Sequence, residues 1–395
     1  MRVYFDTFGC RLNKAEALQQ EAEYLAKGWS LAKSHAEADL IIVRGCSVTS
    51  RAQRECEHLI EHLKRHYPTA QIRTEGCLRK SDKNILIRNL AKKIKAEQTP
   101  VDPAIIPTRT ARAYLKVQDG CNGKCSFCIV PKFRGESVST PFDDLLDRSK
   151  RFIDAGYHEI VVTGCNLSLY ASAGKRLPEL LDALAKLSSD CRIRLGSLEP
   201  GACANDTISV MAENANICRF LHLSVQSGSN RILVAMRRNY SVNDVDRLVE
   251  TAIKQMPDIG IGCDIITGFP AESEMDFTAT KGLLNRLPFS NAHIFPFSER
   301  PGTIAATMNG TIAKNVRSAR AHELSHIIKD KRYAFAQKFL GKTVDVVIES
   351  EKDYSGWTSQ YLLCAVIGVA KRKSLVKAFI NKVHHDGSMS GRLVK

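Results

Sequence analysis

The stretch CNGKCSFC, residues 121–128, decides how this chain is read. It sets three thiols, Cys121, Cys125 and Cys128, at CxxxCxxC spacing, so a single loop can wrap one metal cluster. Cysteine thiolate is the standard ligand of iron–sulfur clusters, and ligation by three leaves one iron open to a cofactor or substrate. Gly120 and Gly123 let the backbone turn tightly around the metal. The rival reading is a zinc knuckle or a chance grouping of buried thiols. A structural zinc site wants a fourth Cys or His nearby. No His lies between Cys121 and Cys128, and the next cysteine downstream is Cys165.

Outward from this loop, strand patterns recur at 114–118, 159–163, 192–196, 220–225, 262–266 and 293–297. Helical stretches separate them, such as 143–152 and 242–254. Six βα units in sequence predict a partial or complete α/β barrel. A helical run at 313–339 closes it. Upstream, strands at 2–6, 38–43 and 70–74 alternate with helices at 14–27 and 50–66, which predicts a parallel, doubly wound sheet of flavodoxin-like kind. Between the two, residues 79–97 hold seven basic and two acidic residues, a charge of +5. A proline-bearing linker follows at 99–110. Downstream, strands at 344–348, 361–369 and 374–380 predict a small all-β module. Ten basic against five acidic residues make 338–395 another +5 segment. The expected domains are therefore 1–98, 107–337 and 338–395.

The 395 residues are 44% hydrophobic and 25% charged, which argues against wholesale disorder. No apolar run approaches the roughly 20 residues of a membrane span, and the N-terminus shows no signal-peptide pattern, so a cytoplasmic protein is expected. In a reducing cytosol the 13 cysteines are metal ligands, reactive thiols or core residues. Lys and Arg total 57 against 42 Asp and Glu, a net charge of +15 that favours phosphate-rich partners.

Three more cysteines form a pattern. Cys10, Cys46 and Cys77 follow the first, second and third strands, each directly after a glycine: Gly9, Gly45 and Gly76. In a parallel sheet the carboxyl ends lie at one edge, where ligands bind. Thiols distant in sequence can converge there on a second cluster; the rival is three unrelated buried cysteines.

The chain resembles the radical S-adenosylmethionine (radical-SAM) methylthiotransferases over nearly its whole length. The resemblance rests on TFGCRLNKAEA (7–17), CSVTSRAQRE (46–55), QDGCNGKCSFCIVPKFRG (118–135), EIVVTGCNLSLY (159–170), RIRLGSLEP (192–200), LHLSVQSGSNRILVAMRRNY (221–240), DIITGFPAES (264–273) and FPFSERPGT (295–303). It implies a cluster domain, a radical-SAM partial barrel and a C-terminal TRAM-like β domain. It further implies two [4Fe–4S] clusters, one on Cys121, Cys125 and Cys128 and one on Cys10, Cys46 and Cys77, with S-adenosyl-L-methionine as both radical source and methyl donor. The implied reaction inserts sulfur into a C–H bond and methylates it. The implied partners are tRNA, a reducing electron-donor protein and a sulfur donor.

RLN after Cys10, SLEP, MRRNY and FPFSERPGT look most like the branch that modifies threonylcarbamoyladenosine 37. The alternatives are isopentenyladenosine 37 in tRNA, a ribosomal-protein aspartate, or a non-catalytic RNA-binding protein with structural metal sites. Departures are VRGC at 43–46 for the usual NTC, GCLRK at 76–80 without the usual Ala-Gln, Ala271 for Gly, and the additional Cys165.

Gln226 and Ser227, at a strand end, and Glu199 are candidates for hydrogen bonds to the nucleoside cofactor; the rival for Gln226 and Ser227 is a satisfied turn. Lys371, Arg372 and Lys373 are candidates for RNA-backbone contact, or simply a solvated hairpin. Cys165 sits at a barrel strand end, where function concentrates; the rival is a filler residue. Cys56, Cys191, Cys203, Cys218, Cys263 and Cys364 read as core.

Overall fold

A computed structural model describes residues 1–46, 50–78 and 110–394. The basic stretch 79–97 and the linker up to residue 109 lie outside the described residues, and with them the 98/107 boundary.

The N-terminal sheet holds β1 (Arg2–Thr7), β2 (Ser30–Leu31), β3 (Leu40–Cys46) and β4 (Gln71–Cys77), all parallel in the order β2-β1-β3-β4. That is the flavodoxin-like order. The two-residue edge strand β2 was not foreseen, being too short to show a period. LIIVRGC in β3 is buried at every position, because parallel sheets are covered on both faces. Helix α1 (Arg11–Ala26) is covered on two sides. Its Ala15 and Leu18 pack on Tyr114 and Val161 of the next domain. α2 (Ser50–His66) ends in Lys64, Arg65 and His66, which suits the negative end of the helix dipole.

The second domain is a curved wall of parallel strands: β5 (Ala113–Lys116), β6 (Glu159–Thr163), β7 (Arg192–Leu195), β8 (Phe220–Gln226), β9 (Gly260–Thr267) and β10 (Asn291–Pro296). β7 and β8 are joined through Ser197–Leu198 and an Ile193–Ile217 bridge. Among the described residues β5 and β10 do not pair with each other, so the barrel is partial. The strand expected at 114–118 breaks at Val117, and Gln118–Asp119 pairs antiparallel with Val138–Ser139. Alternate residues, including Ile160, Val162, Ile193, Leu195, Leu221, Leu223, Ile261 and Ile265, form one core against the surrounding helices. Each such aliphatic side chain stabilises the fold by about 1.5–3 kcal/mol. The opposite face carries Glu159, Arg192, Arg194, His222, Asp264 and His293, as the period of two requires.

The tail is a closed five-stranded barrel: Thr343–Ile348, Ser355–Thr358, Leu363–Ile367, Met389–Val394 and Leu375–Val383 in spatial order. The strand expected at 361–369 starts later, because Tyr361 sits in a turn at φ +63°. Ser355–Thr358 and Met389–Val394 were not foreseen. Each contains a glycine that weakens the strand pattern yet is needed for close approach: a Cβ at Gly356 would lie 2.0 Å from the Val347 carbonyl oxygen.

The tail docks on the barrel floor through charge. Glu159 is fully buried beneath Arg112, Arg192 and Arg194, the last two at 2.6 and 2.7 Å. Arg194 also donates to the carbonyls of Thr358 and Ser359, and Arg192 to that of Asp345. Tyr361 stacks on Trp357 at 4.5 Å beside Phe220, with Arg11 and Arg194 over its ring.

Candidate functional site

The carboxyl end of the N-terminal sheet gathers the first three cysteines. In the β3–β4 register Gly45 faces Gly76 and Cys46 faces Cys77. Cys10 is the N-cap of α1 and exposed, while Cys46 and Cys77 are buried. Gly9 holds φ +90°, and a Cβ there would sit 2.9 Å from the Cys46 sulfur. The loops are held by Asn13, which is fully buried. It donates to the carbonyls of Phe8 and Gly45 at 2.8 and 2.9 Å, tying the Cys10 turn to the Cys46 turn. Burial pushes the Cys77 thiol up; Arg134 opposes this, and nearby Cys10 and Glu16 add to it.

The second triad follows β5. Cys121 donates its N–H to Gly135, and its sulfur accepts from the Gly123 N–H at 3.2 Å. A Cβ at Gly123 would lie 3.1 Å from the Cys121 sulfur and 3.8 Å from that of Cys125. The loop is therefore a cradle with sulfur on two sides, one that any other residue would fill. Burial drives the Cys128 thiol up to about 11, and the neighbouring Cys125 and Cys121 add to it. Three soft thiol donors around one small space suit an iron–sulfur cluster. Arg238 donates to the Cys125 sulfur at 2.9 Å and is fixed by Glu199 at 3.1 Å and by Tyr240 at 2.9 Å.

The two triads meet at the end of α3 (Val130–Arg134). Arg134 donates to the Cys77 sulfur at 3.0 Å, to Glu16 at 2.8 Å, to Asp119 at 2.9 Å and to Asn13 at 2.8 Å. Burial opposes ionisation of Asp119, but Lys116 and Arg134 hold it down at about 2. Arg134, Arg238, Asn13 and Glu16 stand in the matching stretches, but the sequence gives them no role at the site because their partners lie in other elements. Cys165 donates weakly to Asp119 at 3.5 Å, and burial pushes its thiol well up, as expected of an inert thiol.

The cofactor candidates separate. Glu199 is half-buried, accepts from Asn166 and pairs with Arg238. Gln226 ends β8 at φ +68°, a conformation that side chains other than glycine seldom adopt and that clusters at ligand sites. The Ser227 hydroxyl instead lies within a turn, 3.4 Å from the Thr280 hydroxyl and accepting from the Ser229 N–H. In the tail triplet, Arg372 donates from Nε to the Glu349 backbone carbonyl and from its backbone N–H to the Glu351 carboxylate, and Lys373 lies 3.9 Å over the Tyr157 ring, leaving Lys371 exposed. Of the lone cysteines, Cys56, Cys191, Cys218, Cys263 and Cys364 are buried and Cys203 is half-buried. His222, Asp264 and His293 form one further group, with both imidazoles on one Asp264 oxygen at 2.9 and 3.1 Å.

Residues 115–284 match the radical SAM superfamily and residues 2–96 match uncharacterized protein family UPF0004. A threonylcarbamoyladenosine tRNA methylthiotransferase MtaB of Chlamydia pneumoniae is 32% identical over 96% of this chain and 95% of its own length. The chain belongs to the radical-SAM methylthiotransferase family. A namesake of that relative from Aquifex aeolicus is 30% identical over 89% of this chain and 93% of its own length. A tRNA-2-methylthio-N(6)-dimethylallyladenosine synthase of Methylacidiphilum infernorum is also 30% identical, over 88% of this chain and 84% of its own length. Among solved structures, the radical S-adenosylmethionine methyltransferase TsrM of Kitasatospora setae shares the fold, with a TM-score of 0.56 at 13% identity over 77% of each chain. Membership makes this methylthiotransferase an enzyme that uses S-adenosylmethionine and a [4Fe–4S] cluster. No helix among the described residues is long and apolar enough to cross a membrane.

Proposed function

We propose that this methylthiotransferase acts in the cytoplasm on tRNA, replacing the C2–H of N6-threonylcarbamoyladenosine 37 by a methylthio group. The observation that carries the reading is the convergence of two cysteine triads, Cys10/Cys46/Cys77 and Cys121/Cys125/Cys128, on either side of Arg134. Each would hold a [4Fe–4S] cluster. When bound, the barrel cluster with S-adenosylmethionine supplies a hydrogen-abstracting radical, and the other supplies the site of sulfur delivery.

The residues around them position and enclose. Arg238 steadies Cys125 and orients Glu199, which with Gln226 would contact the cofactor. α1 covers the barrel side at Tyr114 and Val161 and so keeps water away. Hydrogen transfer needs close approach of the target C–H to the barrel site, while Arg134, six positions past Cys128, reaches Cys77 of the other triad. The basic tail, with Lys371 outermost, favours an RNA backbone. A reducing protein and a sulfur donor complete the partners.

The relatives named MtaB favour the threonylcarbamoyl substrate. The dimethylallyladenosine synthase at similar identity favours the isopentenyl-type base as second reading. Mass spectrometry of tRNA nucleosides from cells with and without the gene tests both. Loss of 2-methylthio-threonylcarbamoyladenosine alone is the expected result; loss of the methylthio-isopentenyl nucleoside alone would select the second reading.

A further inference from the structure

We propose that Arg134 and Gly135 form a fixed link between the two cysteine triads, and that Arg134 raises the reduction potential of the cluster on Cys10, Cys46 and Cys77. The inference rests on the two-cluster reading above and assigns Arg134 and Gly135 roles that the reading does not.

The link consists of two adjacent residues with opposite duties. The Gly135 carbonyl accepts from the Cys121 N–H at 3.1 Å, so it holds the first thiol of the barrel loop. The Arg134 guanidinium, one residue back, donates from Nε to the Cys77 sulfur at 3.0 Å, in the other domain. α3 carries Arg134 only six positions past Cys128, and the Gly135 N–H closes that helix on the Pro131 carbonyl at 2.9 Å. Gly135 stands at φ +78°, which turns the chain so that both groups are presented at once. One short helical turn thus joins the loop of the barrel triad to Cys77.

Arg134 is also held from the N-domain side. Glu16 and Asn13, both on α1, take its Nη atoms, and Asp119 takes Nη1 from the barrel side. Its side chain is only 8% exposed. The planar fork is therefore locked, and Nε has one direction left to point, towards Cys77. Reduction adds negative charge that spreads onto the cluster's sulfurs. A charged N–H donor at a ligand sulfur stabilises that added charge, more so where water is excluded, and hydrogen bonds to sulfur are an established determinant of cluster potential. Arg238 stands in the same relation to Cys125 in the barrel triad.

The test is EPR-monitored redox titration of the anaerobically reconstituted full chain, with the N-domain signal assigned from a Cys121/Cys125/Cys128→Ala chain. Arg134→Met should shift the midpoint of the N-domain cluster to lower potential and leave the barrel cluster where it was. Arg238→Met should do the reverse. Glu16→Gln keeps the N–H···S bond and removes a negative charge that acts on Cys77, so the N-domain midpoint should not fall and the barrel midpoint should stay. If Arg134→Met does not fold, Arg134→Lys carries the test: an ammonium with three donors on one nitrogen cannot serve all four partners of Arg134, so a smaller downward shift is expected. An N-domain midpoint that Arg134→Met leaves unmoved, or an equal downward shift in Glu16→Gln, overturns the proposal. A wild-type chain with about four irons instead of eight overturns the two-cluster reading beneath it, which is a separate outcome.

Discussion

At Gly120 the backbone stands at φ +67°, and a Cβ would fall 1.8 Å from the Glu136 carbonyl oxygen. No rotamer relieves a clash with backbone, so the residue is fixed by the return of the chain past Gly135. Gly120→Ala should therefore displace Cys121 and empty the barrel triad while the N-domain triad keeps its metal. Iron analysis should show about half the wild-type content, since each cluster holds four irons. Full iron content in the variant would refute this account of the loop. The six thiols could be picked out in the sequence because cysteine at short spacing, or after glycine at a strand end, is rare enough to stand out. Arg134 could not, since an arginine gains meaning only from the sulfur it meets.

β3 and β4 end in register at Gly45–Cys46 and Gly76–Cys77, and β1 ends at the turn that carries Cys10. The N-domain triad is thus a property of the sheet edge, independent of the barrel loop. Replacing Cys10, Cys46 and Cys77 together by Ala should abolish sulfur insertion and remove about four irons. Reductive cleavage of S-adenosylmethionine to 5′-deoxyadenosine, measured by chromatography, should persist. Loss of that cleavage as well would show that the elements do not act separately. Strand and helix positions were legible from periodicity for the long elements: 50–66 and 159–163 match Ser50–His66 and Glu159–Thr163. Ser30–Leu31, Ser355–Thr358 and Met389–Val394 were not, because short or glycine-bearing strands exist by virtue of their neighbours.

Three parts of the chain converge on the barrel floor, where Glu159 pairs with Arg112, Arg192 and Arg194 beneath the tail strand Ser355–Thr358, and Glu349 of the tail takes Arg112 as well at 2.6 Å. Glu159→Gln leaves the buried guanidinium groups of Arg192 and Arg194 without their counter-charge and should destabilise the molecule by about 3–5 kcal/mol. The urea midpoint reports this, and an unchanged midpoint would remove the node from the account. Burial alone would raise the Glu159 pKa, but Arg194 and Arg192 hold it well below its ordinary 4.5. A carboxylate depressed in the folded state contributes its full stability above its unfolded pKa and loses it as the pH falls below. The wild type should therefore weaken on acidification below about pH 4.5, and the Gln variant less steeply.

What the sequence determined by itself was local and chemical. The CxxxCxxC loop, the glycine–cysteine strand ends, the βα alternation and the basic surplus all follow from residue type and spacing, and they point to metal chemistry on an α/β frame. Tertiary structure decided what depends on distance between remote residues. It turned Ser227 into its turn and drew Arg372 and Lys373 back onto the protein, leaving Lys371 as the exposed charge. It buried three arginines around one glutamate, which no charge count foretells. It also set Arg134 on Cys77, 57 positions away, because a hydrogen bond is made across space and leaves no period in the chain.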